Sequence, residues 1–422
     1  MATPTLLERR NATLGTGAPL FYQEPVHIVR GSGVELFDSN GRRYLDMYNN
    51  VPCVGHCHPH VVEALTRQAQ TLNVHSRYLH EGIVDYAERL AALHWEGIDS
   101  VVFSCTGTEA NEVAIAMARS FTGGQGIITT SAAYHGNSHM VGKLTHLGES
   151  KRHDDVRAFP FPDLYRPAEK GLSETALSNL YLERIADAIK DFKARNVPLA
   201  GLLVCSIFAN EGLPNIPEGF MAKAAKLIRE AGGLVIADEV QAGVCRPGRW
   251  WGYEVTGFEP DIAVMGKPLG NGLPLAATAA SNEIVNAFRK RSRYFNTFAS
   301  SPMQAAVGSA VLDVIENENL LTTSAAVGQY MRDALRQLSE QVEAMGDVRG
   351  RGLFIGIDWV SDRDAHTPDR EGAAQIVNTL KDKGFLISNA GALGNVLKIR
   401  PPLVFRMEHA DEFLGAFSEA VR

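Results

Sequence analysis

Six short apolar runs punctuate the middle of the chain: VVFS (101–104), GIITT (126–130), GLLVCSI (201–207), GLVIAD (233–238), DIAVM (261–265) and LAATAA (275–280). Continuous rather than alternating apolar character marks strands buried on both faces. Between several of them lie amphipathic stretches of helical period: EANEVAIAMARSF (109–121), LERIADAIKDFKA (182–194) and FMAKAAKLIREA (220–231), the last stopped by Gly232-Gly233. Strand–helix alternation predicts an α/β architecture with a mainly parallel sheet under a cover of helices. Beyond about residue 303 the pattern changes to long helices, then GRGLFIGIDWV (350–360), a helix near 370–384, and VLKIR (396–400), which together predict a smaller α+β unit. The early stretch VRGSGVELFDSNGRRYLDM (29–47) reads as a hairpin turning at Asp38-Ser39-Asn40-Gly41, and is expected to pack with that unit. The expected division is an N-terminal segment (1–50), a large domain (51–320) and a C-terminal domain (321–422), with no internal repeat or low-complexity tract.

With 422 residues and 45% hydrophobic content, the chain can bury a large core. Acidic residues outnumber basic ones by 48 to 41, a net charge of −7, and no basic tract of nucleic-acid or membrane-surface type occurs. The expected partner is therefore a small molecule, with no nucleic acid and no membrane. The N-terminal residues lack a signal-peptide core and no run approaches a membrane span of roughly 20 apolar residues, so a cytoplasmic location is expected. Five cysteines without a disulfide-framework spacing fit a reducing compartment.

In sheets of this kind ligands gather at the carboxyl ends of the strands, so candidate chemistry is sought there. GGLVIADEVQAG (232–243) ends its apolar run on two carboxylates, Asp238 and Glu239. A buried carboxylate calls for a cationic partner. After VVFS, the stretch CTGTEANEVA (105–114) offers Gly107 for close backbone approach and Thr108 as a helix cap; it reads either as an anion site or as an ordinary helix start. After GIITT comes Tyr134-His135-Gly136, and after DIAVM comes Gly266-Lys267-Pro268. A lysine at the end of a buried strand is desolvated, which lowers its pKa and suits it to form a Schiff base with an aldehyde. If that aldehyde is pyridoxal phosphate, its ring nitrogen supplies the cation that Asp238 needs.

TGTEAN, AYHG, ADEVQAG, GK and NTFAS, in that order, resemble the class III aminotransferases, pyridoxal-phosphate enzymes of fold type I, over about residues 22 to 405. The resemblance implies a mainly parallel seven-stranded sheet in the large domain and pyridoxal 5'-phosphate as cofactor. It makes Lys267 the Schiff-base lysine, Asp238 the partner of the ring nitrogen and Gln241 the neighbour of the ring hydroxyl. Tyr134 would stack on the ring, and Gly107 and Thr108 would hold the phosphate. His135 and Glu211 complete the expected cofactor-binding set, His135 in a supporting role because Lys267 already fills the acid–base role. Glu211 falls in CSIFANEGLPNIPEGF (205–220), where the chain departs from the family's usual Glu-rich turn. Thr297, in FNTFAS, would reach the phosphate of a second subunit, which implies a homodimer.

MYNNVPCVGHCHPHVVEAL (47–65) and LNVHSRYLHEGIVDYAERL (72–90) are more similar to the ethanolamine-phosphate and phosphohydroxylysine phospho-lyases than to transaminases of the same class. Arg77 is the distinguishing residue: its planar fork matches phosphate oxygens, and its apolar and aromatic flanks favour an enclosed place over a surface ion pair. The expected reaction is β-elimination of phosphate from an amine such as O-phosphoethanolamine, giving acetaldehyde, ammonia and phosphate. The alternatives are an amine:α-keto-acid transaminase and a non-catalytic binder. Arg400, in KIRPPL, matches a position that grips substrate carboxylates in the family; it serves phosphate, a carboxylated substrate or residual transamination. Tyr22, in LFYQEP, is a substrate contact or a packing residue. The histidine-rich GHCHPH (55–60) has no recognised closed-site spacing, and no metal is expected.

Overall fold

The computed structural model describes residues 4–145 and 153–422. A seven-stranded sheet forms the centre. Its strands are β1 (Ser100–Ser104), β2 (Gly126–Thr130), β3 (Val156–Phe159), β4 (Leu199–Cys205), β5 (Leu234–Asp238), β6 (Ile262–Met265) and β7 (Ala276–Ala280). They lie in the order β1-β7-β6-β5-β4-β2-β3. Only β7 runs antiparallel to its neighbours. The ends of β1, β2, β4, β5 and β6 therefore open onto one edge, where the residues following each strand meet.

All five residues of β5 are buried because both faces are covered. Val235 and Ala237 join the apolar cluster formed with helices Glu174–Ala194, Phe220–Glu230 and Pro302–Asn317. Leu234 and Ile236 join the opposite one with helices Gly107–Thr122 and Asn282–Arg291. Alternate side chains of one strand thus feed two cores, which is why the run is apolar at every position. At the end of helix Phe220–Glu230, Gly232 takes φ +84°, the left-handed stop that the glycine pair signalled.

Four elements differ from expectation. β3 was not foreseen: it is a four-residue edge strand carrying Arg157, too short and mixed for an apolar run. β4 begins and ends two residues before the apolar run, because Ser206 turns out of the sheet to meet Glu239. Residues 350–360 are not one strand but the corner of a hairpin, Met345–Arg351 against Phe354–Asp362. Gly352 makes that corner at φ +50°, pressed so closely on the carbonyl of Arg246 that a β-carbon would not fit.

The C-terminal hairpin continues through Val396–Ile399 and Ser388–Ala390 as an antiparallel sheet. Residues 29–47 form two hairpins rather than one, strands Ile28–Ser32, Glu35–Asp38 and Arg43–Asp46. The second turn is tied by Asp38 Oδ1, which accepts from the amides of Asn40 and Arg42. Arg43–Asp46 pairs with Phe385–Leu386, and Val34, Leu45 and Met47 enter the apolar cluster built by Val327 to Phe417. The N-terminal segment therefore packs with the C-terminal elements.

Candidate active site

At the edge where the strands end, a cavity of about 320 Å³ is lined by Cys105 to Thr108, Asn111, Tyr134 to Gly136, Cys205, Asn210, Asp238, Val240, Gln241 and Lys267, among others. Asp238 ends β5 at its floor and is 5% exposed. Its Oδ2 accepts from Asn111 Nδ2 (3.0 Å) and lies 2.7 Å from His135 Nδ1, while Oδ1 accepts from the amide of Val240 (3.0 Å). His135 in turn meets Thr129 through Nε2 (3.3 Å). His135 thus stands beside the carboxylate in a supporting place.

The adjacent Glu239 faces the other way. It accepts from the Ser206 hydroxyl and from the amides of Gly252 (2.7 Å) and Tyr253 (3.0 Å), the start of the short helix Gly252–Thr256. Burial is the largest influence on it and pushes its pKa up to about 7 despite those donors. One carboxylate floors the cavity, and its neighbour ties a loop.

Lys267 follows β6 and stands in the cavity wall at φ +28°, a backbone conformation rare for a non-glycine residue and costly enough to mark a functional position. Desolvation, then the positive charge of Arg400, lowers its pKa to about 8; Asp238 and Cys205 act in the opposite sense. An amine so placed has a far larger neutral, nucleophilic share near neutral pH than an ordinary lysine.

The helix after β1 starts at Gly107, but its cap is Thr106, not Thr108. Thr106 Oγ1 accepts from the amide of Glu109, and the Glu109 carboxylate accepts from the amides of Cys105 (2.7 Å) and Thr106 (3.3 Å). This capping box satisfies the outer donors. It leaves the amides of Gly107 and Thr108, with the Thr108 hydroxyl, at the positive end of a 16-residue helix. A β-carbon on Gly107 would sit 2.9 Å from Val240, and one on Gly136 would collide with Thr108, so both glycines keep this corner open. The corner fits a phosphate, Lys267 an aldehyde and Asp238 a protonated pyridine nitrogen, so the residues fit pyridoxal phosphate.

Gln241 and Tyr134 also line the cavity. Gln241 Nε2 donates to Asn210 Oδ1 (3.0 Å), and Asn210 Nδ2 donates to the carbonyl of Tyr134 (3.2 Å). Behind Gln241 lie two cations, Arg400 and Lys398, neither of them a lining residue. Arg400 donates to Gln241 Oε1 and, through Nε, to the carbonyl of Tyr48 (2.9 Å), so it reaches the cavity only through the glutamine. Glu211 is likewise behind the wall, bonded to the Thr130 hydroxyl, with burial raising its pKa and Oε2 unpaired. Tyr22 donates to the carbonyl of Ile387 (3.0 Å) and lines a neighbouring cavity of about 270 Å³ with Phe21, Asp46 and Tyr48. Sequence reasoning missed Asn210 and Lys398, and passed over Asn111 inside a motif it had singled out.

The remaining candidates lie at the rim. Arg77 is exposed within one chain rather than enclosed: its guanidinium stacks 4.1 Å from the ring centroid of Phe295. Thr297, two residues on, is also exposed, and neither lines the cavity of its own chain. Apolar flanks here mark a surface left bare, with Leu79 102% and Phe298 76% exposed. The histidines of GHCHPH each meet a carboxylate, His56 with Asp46, His58 with Glu318 and His60 with Asp313. No metal-holding group of histidine, cysteine and carboxylate occurs among the described residues, and no helix among them is long and apolar enough to cross a membrane.

Fold and cavity define a pyridoxal-phosphate enzyme of fold type I. The model of the class-III aminotransferase family matches residues 20–421, and the chain belongs to that family. A phospholyase from Arthrobacter, solved in complex with phosphoethanolamine, superposes with a TM-score of 0.95 at 38% identity, covering 99% of both chains. The alanine-glyoxylate aminotransferase 2-like protein of Drosophila melanogaster is 37% identical over 98% of this chain and 86% of its own length. Ethanolamine-phosphate phospho-lyase homolog 1 of Caenorhabditis elegans is 34% identical over 99% of this chain and 93% of its own.

Proposed function

We propose that the chain is a phospho-lyase that eliminates phosphate from a phosphorylated amine such as O-phosphoethanolamine, releasing acetaldehyde, ammonia and phosphate. The observation that carries this reading is the near-complete superposition on a phospholyase that binds phosphoethanolamine. Bound pyridoxal phosphate supplies an electron sink that acidifies the carbon beside the substrate nitrogen. Gly107 and Thr108 would hold its phosphate, Asp238 would pair with its ring nitrogen, and Lys267 would hold its aldehyde carbon. The Lys267 amine would take a proton from the carbon next to the substrate nitrogen. The bond from the neighbouring carbon to the phosphate oxygen breaks, and phosphate leaves with the electron pair. Water completes the release of acetaldehyde and ammonia.

Arg77 neutralises the leaving phosphate, since fixed positive charge stabilises an anion as it forms. Because Arg77 is stacked on Phe295 beside Thr297, the two residues share one surface. If Thr297 serves a second subunit, Arg77 goes with it, and the working unit is a homodimer that covers Leu79 and Phe298. Class III transamination is the second reading, favoured by the 37% identity to the aminotransferase 2-like relative. The two are separated by incubating the enzyme with phosphoethanolamine and no keto acid. Phosphate and acetaldehyde in equal amounts support elimination; amine consumption only after a keto acid is added overturns it.

A further inference from the structure

Lys398, on the strand Val396–Ile399, is 4% exposed and forms an ion pair with no carboxylate among the described residues. Its Nζ donates to Gln241 Oε1 (3.2 Å) and to the carbonyl of Ala209 (3.4 Å). Burying an amine without a counter-charge is costly, and a methionine would fill the space beside Phe354 more cheaply. Burial, with Arg400 and Lys267 close by, drives its pKa well below the ordinary lysine value, while Cys205 and Glu211 oppose this. Arg400, just past the end of the strand, converges on the same Gln241 oxygen.

An amide side chain has a donor end and an acceptor end of nearly the same shape. Here the partners decide. Arg400 can only donate, so the end of Gln241 that faces it is the oxygen. Its two lone pairs are taken by Arg400 and Lys398, and the amino end turns towards Asn210. Asn210 must then accept at Oδ1 and donate onward to Tyr134. One Gln241 hydrogen is spent on Asn210, and the other is available on the cavity side.

We infer that Lys398 is a positioning residue that, with Arg400, locks the Gln241 amide oxygen away from the cavity so that an N–H is presented to the ring hydroxyl of the coenzyme. The inference rests on the coenzyme site described above. Lys398 touches neither coenzyme nor substrate and acts through Gln241.

The test is reconstitution of the apo-protein with pyridoxal phosphate, reading the dissociation constant and the visible spectrum of the loaded protein. Lys398→Met is expected to weaken binding about tenfold and to alter the visible spectrum, the scale of one lost hydrogen bond to a well-placed group. Lys398→Arg should restore both to within about twofold. In a Gln241→Leu background, Lys398→Met should add nothing, since residues acting as one unit are non-additive. Should Lys398→Met fail to fold, Lys398→Gln carries the same test at about threefold. An equal loss in the Gln241→Leu background, or a change in Tm alone, overturns the inference. A wild-type protein that does not bind pyridoxal phosphate overturns the coenzyme site itself.

Discussion

The floor and the rim of the cavity are built in opposite ways. At the floor, Asp238, His135, Gln241 and the second row behind them are buried and bonded to one another within a single chain. At the rim, Arg77 and Thr297 are exposed, and Leu79 and Phe298 stand almost bare beside them. The floor carries what any pyridoxal-phosphate enzyme needs, and rigid strand ends suit it because coenzyme chemistry tolerates little misplacement. On the proposed reading the rim selects the substrate. Its place on surface loops would let a second copy complete it and let selectivity change without disturbing the floor. Apolar exposure on this scale in one chain also favours a partner.

The largest effect should come from breaking the floor. Lys267→Ala should lower phosphate release from phosphoethanolamine on the order of 10⁴-fold or more, as loss of a residue that holds coenzyme and moves a proton does. Covalent capture of pyridoxal phosphate by borohydride should vanish with it. In the wild-type apo-protein the rate of coenzyme capture should rise with pH about a midpoint near 8, because the Lys267 amine loses its proton there. The linked stability has a definite sign. A lysine whose folded pKa lies below its unfolded value costs stability at neutral pH, and that cost fades as pH rises from about 8 towards the ordinary lysine range. Apo Lys267→Met should therefore melt higher than apo wild type at neutral pH, with the gap closing above pH 10 or so.

Breaking the rim should be selective. Arg77→Ala should lower turnover of phosphoethanolamine by about 10- to 100-fold, the range of a lost charge-assisted hydrogen bond to phosphate, with coenzyme affinity within about twofold of wild type. Equal losses in both would merge rim and floor and remove the contrast. Unchanged phosphate release would leave Arg77 with nothing beyond its stacking on Phe295.

Much of the floor was legible because its residues follow apolar runs, and a polar side chain at the end of a buried strand stands out against it. Asp238 and Lys267 are found this way, and so is the order of motifs that carries the family resemblance. Thr106 was missed as the cap in favour of Thr108, although Thr106 with Glu109 three residues later is itself a capping-box pattern. Lys398 was not legible at all. On its strand it reads as one polar residue in an alternating pattern, and only the fold brings it from the C-terminal sheet to Gln241. That Arg77 stands exposed within one chain was not legible for a related reason: apolar flanks signal burial, but the sequence does not say whether by the same chain or another.

The smallest expected effect separates Asp238 from its neighbour and tests whether the floor ends where the loop begins. Glu239 points away from the cavity, and its raised pKa, about 7, means the folded chain holds a proton that the unfolded chain releases near pH 4.5. The folded state then binds more protons across that interval, so this residue costs stability increasingly as pH rises from about 4.5 to 7 and by a constant amount above. Glu239→Gln removes the charge and one acceptor: Gly252 donates to Oε2 while Tyr253 and the Ser206 hydroxyl donate to Oε1, so one of the two amides loses its partner and the whole Tm curve drops. The variant should show a flatter dependence of Tm on pH between those limits, with coenzyme affinity and phosphate release within about twofold of wild type. A large loss of coenzyme affinity would instead mean that the loop and the floor are one structure, and that the boundary drawn between Asp238 and Glu239 is misplaced.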